Sequence, residues 1–291
     1  MRLMLVQIGK RKFFGCWAFF MMRNVFARML VFGITVGMMS GILSCGHTPK
    51  EVPRAARGYQ EHNIMATLWA RHSAEFQAAG HQAYHAAQLS LANALQRKVK
   101  KPAVVADLDE TVLDNVEYQV RNIVKDQSYS SESWVQWVSE ARAGAIAGAV
   151  DFFKYAASKG VEIYYISNRK MDEVDPTFKN MENLGLPVKK ENLLFRDKEK
   201  SKEGRRQLVQ KKHGYVLFLG DNLIDFSTVF ENKNSQERKE AVDAEKGRFG
   251  VDYIILPNPM YGAWEDAFYE SNPRMSDAEK AVKRFEWLSK K

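Results

Sequence analysis

The sequence predicts an α/β fold, a Rossmann-like three-layer sandwich around a parallel central sheet, and three observations predict it. Short, mostly apolar runs recur at 103–106, 161–166 (interrupted by Glu162), 215–219 and 253–256, with a shorter one at 193–195. Stretches of helical length separate them, at 147–159, 174–184 and 202–213. Polar and acidic residues follow the first three runs at once. Strands buried on both faces read as continuous apolar runs, and alternation with helices favours parallel pairing through crossovers.

The chain begins with a leader. Residues 1–44 carry six basic residues and no acid, and without them the basic and acidic totals nearly balance, although the whole chain is formally +8. A basic body that would hold a nucleic acid polymer is therefore not expected. The run at 29–43 is apolar and uncharged, follows Arg23 and Arg28, and is too short and glycine-broken for a spanning helix. This is the pattern of a signal peptide over 1–44, with Met21 or Met22 as the expected start. Ile42-Leu43-Ser44-Cys45 resembles the bacterial lipobox, which implies lipidation of Cys45, export and an outer-membrane anchor. Cys16 and Cys45 are the two cysteines, so the body beyond them has no thiol for an internal disulfide.

Residues 45–60 are polar, contain Pro49 and Pro53, and read as a tether. The domain itself is expected over 61–291, with helical cap elements near 61–100 and 116–146. Ile64, Leu68, Phe76, Leu91 and Leu95 recur at helical spacing, giving one or two helices before the first strand. Ser276-Asp277-Ala278-Glu279 is a capping box that opens a last helix through about Leu288. With 45% hydrophobic residues, six tryptophans and seventeen phenylalanines, the chain has ample surface for a sizeable core.

Ligands of open α/β sheets bind beyond the carboxyl ends of the strands. There the chain places Asp107-Leu108-Asp109-Glu110-Thr111, then Ser167-Asn168-Arg169, then Gly220-Asp221-Asn222-Leu223-Ile224-Asp225, with Lys200 and Lys202 ahead of the third strand. Singly, each has an ordinary explanation. Acids after a strand cap helices, Gly-Asp-Asn makes turns, and a helix lysine is a solvated charge. Together they would put four carboxylates in one crevice, which suits an oxygen-liganded Mg²⁺ and a phosphate substrate. Asp107 is then a candidate nucleophile and Asp109 a candidate acid and base.

DLDET with LDN over 107–115, SNR over 167–169, a lysine at a helix start and GDNLIDF over 220–226 resemble the four motifs of the haloacid dehalogenase (HAD) superfamily. The wording resembles the class C, DDDD-type bacterial acid phosphatases, also called the 5′-nucleotidase lipoprotein e family. Trp134-Val135-Gln136-Trp137 and the segment from Leu256 to Gly262 are similar to that family too.

The resemblance implies a HAD-type fold and an aspartyl-phosphate mechanism on phosphomonoesters such as 5′-nucleotides. It implies Asp107, Asp109, Asp221 and Asp225 as the metal residues, with Asp109 contributing its main-chain carbonyl. Ser167 and Lys202 would hold phosphoryl oxygens. Lys202 is preferred because Arg205 follows at the required interval, and Lys200 stays the alternative. Trp134, Asn168 and Tyr261 are the expected substrate-binding residues, and a homodimer is implied.

Trp134 and Trp137 stand three apart on a helix, so at least one is expected in the core. His81 and His85 lack a third metal ligand and are read as a solvated face. No Walker A or G-x-S-x-G pattern occurs in the sequence. The rival from another class is a surface lipoprotein that binds haem or a host ligand on a retired scaffold.

Overall fold

The computed structural model describes residues 58, 60–269, 272 and 274–290, which belong to the unit Glu51–Lys291. The leader, its start codon, Cys45 and the tether lie outside the described residues, apart from 58 and 60. Among the described residues no helix is long and apolar enough to cross a membrane.

The chain runs through α1 (Ile64–His72), α2 (Ala74–Gln96), β1 (Pro102–Ala106), β2 (Leu113–Asp114), α3 (Val116–Val124) and α4 (Ser131–Ser139). It continues with β3 (Gly144–Ala145), α5 (Ala149–Ser158), β4 (Glu162–Lys170), α6 (Val174–Asn183) and β5 (Leu193–Arg196). The last part holds α7 (Glu203–Gln210), β6 (Tyr215–Gly220), α8 (Ser235–Glu245), β7 (Tyr253–Ile255), α9 (Ala263–Asp266) and α10 (Asp277–Ser289).

Five strands form one parallel sheet in the order β5-β4-β1-β6-β7, so β1 is central. Its residues alternate between two cores, as the period of two along a strand requires. Val104 and Ala106 face one core with Phe152, Phe153 and Met181, whereas Ala103 and Val105 face the other with Val209, Phe218 and Phe230. This two-sided burial explains why the strands read as mostly apolar runs.

Three differences from the sequence reading have local causes. The region near 61–100 was expected to cap the site, yet α2 packs on the sheet and α5 as part of a helical layer. Tyr84, Ala87 and Leu91 are buried in that core, and the Tyr84 ring lies 5.6 Å from Phe152. Gly148 makes the close approach possible: its φ is +89°, and a Cβ there would meet Tyr84 at 3.0 Å. The strand of the second apolar run, β4, continues past Ile166 to Lys170, where after a register shift Lys170 pairs with Arg196 of β5. The short antiparallel β2–β3 pair and α8 were not foreseen; two-residue strands and a helix with few apolar residues leave little periodic signal.

The last helix starts at its capping box, where Ser276 accepts from the Glu279 N–H. His81 and His85 are exposed on α2.

Phe153 is fully buried, with its ring 5.4 Å from Tyr165 and 5.1 Å from Phe152. Phe153→Ala is expected to cost about 3–5 kcal/mol of unfolding free energy. Urea denaturation of both proteins tests this, and a loss below about 1 kcal/mol would contradict the packing described.

Candidate active site

The site lies at the carboxyl edge beside β1, where chain connections leave in opposite directions: β4 lies on one side of β1 and β6 on the other. Asp107 is fixed at the end of β1, its N–H donating to the Leu219 carbonyl of β6 at 3.0 Å. The chain then turns sharply, with the N–H groups of Val112 and Leu113 both donating to the Leu108 carbonyl at 2.8 Å. Glu110 takes a left-handed φ of +57° to make this turn. At the end of β6 the main chain bends at Gly220, where a Cβ would lie 2.6 Å from the Asp225 Cβ. A side chain at 220 would displace Asp225.

Carboxylate oxygens of Asp107, Asp221 and Asp225 lie within 4.8 Å of one another. Lys202, buried at the start of α7, donates to Asp107 and, at 2.7 Å, to Asp225. Lys200 is exposed on the wall of the same cavity, so Lys202 is the lysine the fold brings to the aspartates. Asp221 accepts from Asn258 at 2.8 Å and from the Thr111 hydroxyl at 3.3 Å.

Burial pushes the Asp107 carboxyl up to about 7; Lys202 opposes the rise and Asp225 adds to it. Asp221 is also raised, first by burial and then by Asp225 and Asp107. Burial pulls Lys202 down, but Asp107 and Asp225 outweigh it, and its ammonium is held above the ordinary value. Hard oxygen donors at this spacing fit a divalent cation, which would supply the charge that Lys202 alone does not.

The Asp109 side chain stands apart from that cluster. Arg169 grips it with Nη2 at 2.7 Å and Nε at 3.0 Å, and Asn115 donates to it at 3.0 Å. Arg169 is itself buried and fixed by Thr177 at 2.8 Å. Asn115 is fixed by the Trp137 indole N–H at 2.8 Å, so Trp137 is the buried tryptophan of the pair. Ser167 is fully buried; its Oγ accepts the Arg169 N–H at 3.0 Å and sits 3.5 Å from Asp109. Arg205 donates to the Ser167 carbonyl at 2.6 Å and to Asn168 at 2.9 Å.

Asp107, Asp109, Arg169, Lys202, Asp221 and Asp225 line a cavity of about 460 Å³ whose walls include Trp134, Asn168 and Tyr261. Trp134 meets Tyr118 edge-on at 5.1 Å, Tyr129 lies 6.3 Å away, and the Arg169 guanidinium sits over the Trp134 ring at 5.4 Å. Arg169, Asn115 and Asn258 were not singled out as site residues from sequence. Each stood inside a quoted motif, and a buried arginine beside carboxylates was the available signal, since such a charge needs a partner.

Residues 40–264 match the family model described as HAD superfamily, subfamily IIIB (Acid phosphatase). Among solved structures, the chain is similar to the class C acid phosphatase from Bacillus anthracis, at 46% identity and a TM-score of 0.77 over 80% of this chain and 99% of that one. The same enzyme with tungstate bound matches at 47% identity and a TM-score of 0.77, over 80% and 98% of the two chains. Curated relatives include the stem 28 kDa and 31 kDa glycoproteins of Glycine max, each 23% identical over 55% and 43% of this chain. The chain spans 60% and 46% of their respective lengths.

A carboxyl group raised on folding contributes its stability below the unfolded pKa and loses it as pH rises through the folded one. Metal-free protein is therefore expected to lose thermal stability between about pH 4 and pH 7, where Asp107 ionises. Thermal midpoints across that range should show a flatter profile for Asp107→Asn, and a flatter one for wild type with saturating Mg²⁺. Identical slopes in all three would remove Asp107 as the source.

Proposed function

The chain belongs to subfamily IIIB of the HAD superfamily, the acid phosphatases, and from that premise we propose that it is a Mg²⁺-dependent phosphomonoesterase acting on 5′-nucleotides. The observation that carries the reading is the Asp107–Lys202–Asp225 contact beside Asp221, with Asp109 held separately by Arg169. The two aspartates of the first motif thus sit in different electrical settings, as separate nucleophile and proton-carrier roles require.

An oxygen of Asp107 attacks phosphorus, the bond to the leaving alcohol oxygen breaks, and Asp109 gives that oxygen its proton. Water then attacks the aspartyl phosphate, Asp109 takes the water's proton, and inorganic phosphate leaves with Asp107 regenerated. Lys202 and Ser167 steady the phosphoryl oxygens, while Arg169 and Asn115 keep Asp109 aimed. Asp107, Asp221, Asp225 and the Asp109 carbonyl would hold Mg²⁺, which neutralises charge on the transferring group. Tungstate, a phosphate-like oxyanion, is bound in the relative from Bacillus anthracis, which supports an oxyanion site.

Trp134 and Tyr261 on the cavity wall offer faces for a nucleobase, with Asn168 as a polar contact. The lipobox at Cys45 supports an exported, outer-membrane-anchored enzyme used in nucleotide salvage. The class C resemblance supports a homodimer, which light scattering would read.

Phosphate release should depend on Mg²⁺ and favour AMP and nicotinamide mononucleotide over glycerol and sugar phosphates. Asp107→Asn should lower kcat by roughly 10³-fold or more with its circular dichroism unchanged. A folded, metal-loaded wild type that hydrolyses no ester would sink the enzyme reading in favour of a binding protein. For the anchor, Cys45→Ser should move the protein from the detergent phase to the aqueous phase in expressing bacteria. Unaltered partitioning would count against lipidation.

A further inference from the structure

The cavity wall carries cations that the reaction above does not use. Arg196 ends β5, is half-buried and lines the cavity, and Lys200 lines it four residues further on. The Arg169 guanidinium is committed to Asp109 and the Lys202 ammonium to Asp107 and Asp225. Among the described residues, Arg196 and Lys200 have no carboxylate partner of that kind.

The acids that line the cavity are engaged elsewhere. Asp221 accepts from Asn258, Asp277 from Ser128 at 2.6 Å, and Glu265 from the Tyr269 hydroxyl at 2.8 Å with Arg284 3.9 Å away. No ion pair to the Arg196 guanidinium is found among the described residues, although Asp197 follows it in the chain. Arg205 repels the Arg196 guanidinium, whose charge opposes the rise that burial causes in the Tyr129 hydroxyl. A half-buried guanidinium loses hydration without recovering it from a partner, so an anion from outside gains by binding there. The planar fork of arginine suits a phosphate, and about 460 Å³ has room for a ligand reaching from floor to wall.

We propose that Arg196, with Lys200 beside it on the wall, is a second phosphate subsite that selects monoesters whose leaving group carries another phosphate. The inference rests on the phosphomonoesterase reading and deepens it. One phosphate lies at Asp107 and Lys202, the other meets Arg196, and the nucleoside or sugar spans the cavity between them. The preferred substrates are bisphosphorylated, and no further bond is made or broken at the second site.

The test uses two matched pairs, adenosine 3′,5′-bisphosphate against AMP and fructose 1,6-bisphosphate against fructose 6-phosphate. In at least one pair the wild type should favour the bisphosphate by about tenfold in kcat/KM, as a charge-assisted hydrogen bond supplies. Arg196→Ala should abolish the preference through KM, leave monophosphate turnover within about twofold, and Arg196→Lys should restore part of it. The preference should also shrink with added salt. No preference in either pair, or equal losses on both members, overturns the subsite.

Calorimetric binding of the same four ligands to Asp107→Asn, with and without Arg196→Ala, separates this from failure of the enzyme reading. An Arg196-dependent gain in affinity, where the metal-loaded wild type hydrolyses none of the four ligands, keeps the subsite and discards the phosphatase. Affinity indifferent to the second phosphate discards the subsite.

Discussion

Burying Asp107, Asp221 and Asp225 within 4.8 Å of one another is unfavourable, and Lys202 is the buried cation that touches two of them. Three like charges out of water repel, and each also loses hydration. Much of the surrounding structure can be understood as holding that arrangement against its own repulsion. The strand ends are tied by main-chain bonds, Asn258 and Thr111 brace Asp221, and the Asn222 N–H donates to Asp225 at 3.0 Å. Charge that a protein cannot dissipate internally is a binding site for charge from outside, first a cation and then a phosphate.

The same economy separates the two aspartates of the first motif. They are two residues apart, yet Asp107 faces an ammonium and two carboxylates while Asp109 faces a guanidinium and an amide. The sharp turn through Glu110 produces the difference, since it sends the chain back under Leu108 before Asn115 returns to the site. Glu110 shares in the cost: its carboxyl is fully buried, raised well above the ordinary value by burial and then by Asp109, and accepts from the Asn115 N–H. Trp137 completes the arrangement from the core by holding Asn115.

The sheet was legible because its strands are buried on both faces, and the motif residues because they sit where such strands end. The family resemblance brought Lys202 forward, through its interval to Arg205, and left Lys200 as the alternative. Less could be read where function depends on who meets whom across the fold. The grip of Arg169 on Asp109 joins residues 60 positions apart, and Asn258 reaches Asp221 across 37. Neither pairing has a periodic trace in a single sequence. The role of α2 was misjudged for a related reason: a few apolar residues at helical spacing among alanines and glutamines show a helix but not which surface it covers. Tyr84 and Gly148, far apart in the chain, decide that.

The cavity wall is assembled from chain that is distant in sequence. Gln60 donates to Ser128 across 68 residues, Ser128 donates to Asp277 across 149, and Lys202 meets Asp107 across 95. Contacts of such range form only after the entropy of closing long loops has been met. The pocket is therefore complete only when chain from both ends of the domain has docked. Newly made chain would hold all four aspartates and still lack a site, so phosphate chemistry waits until the whole domain is in place.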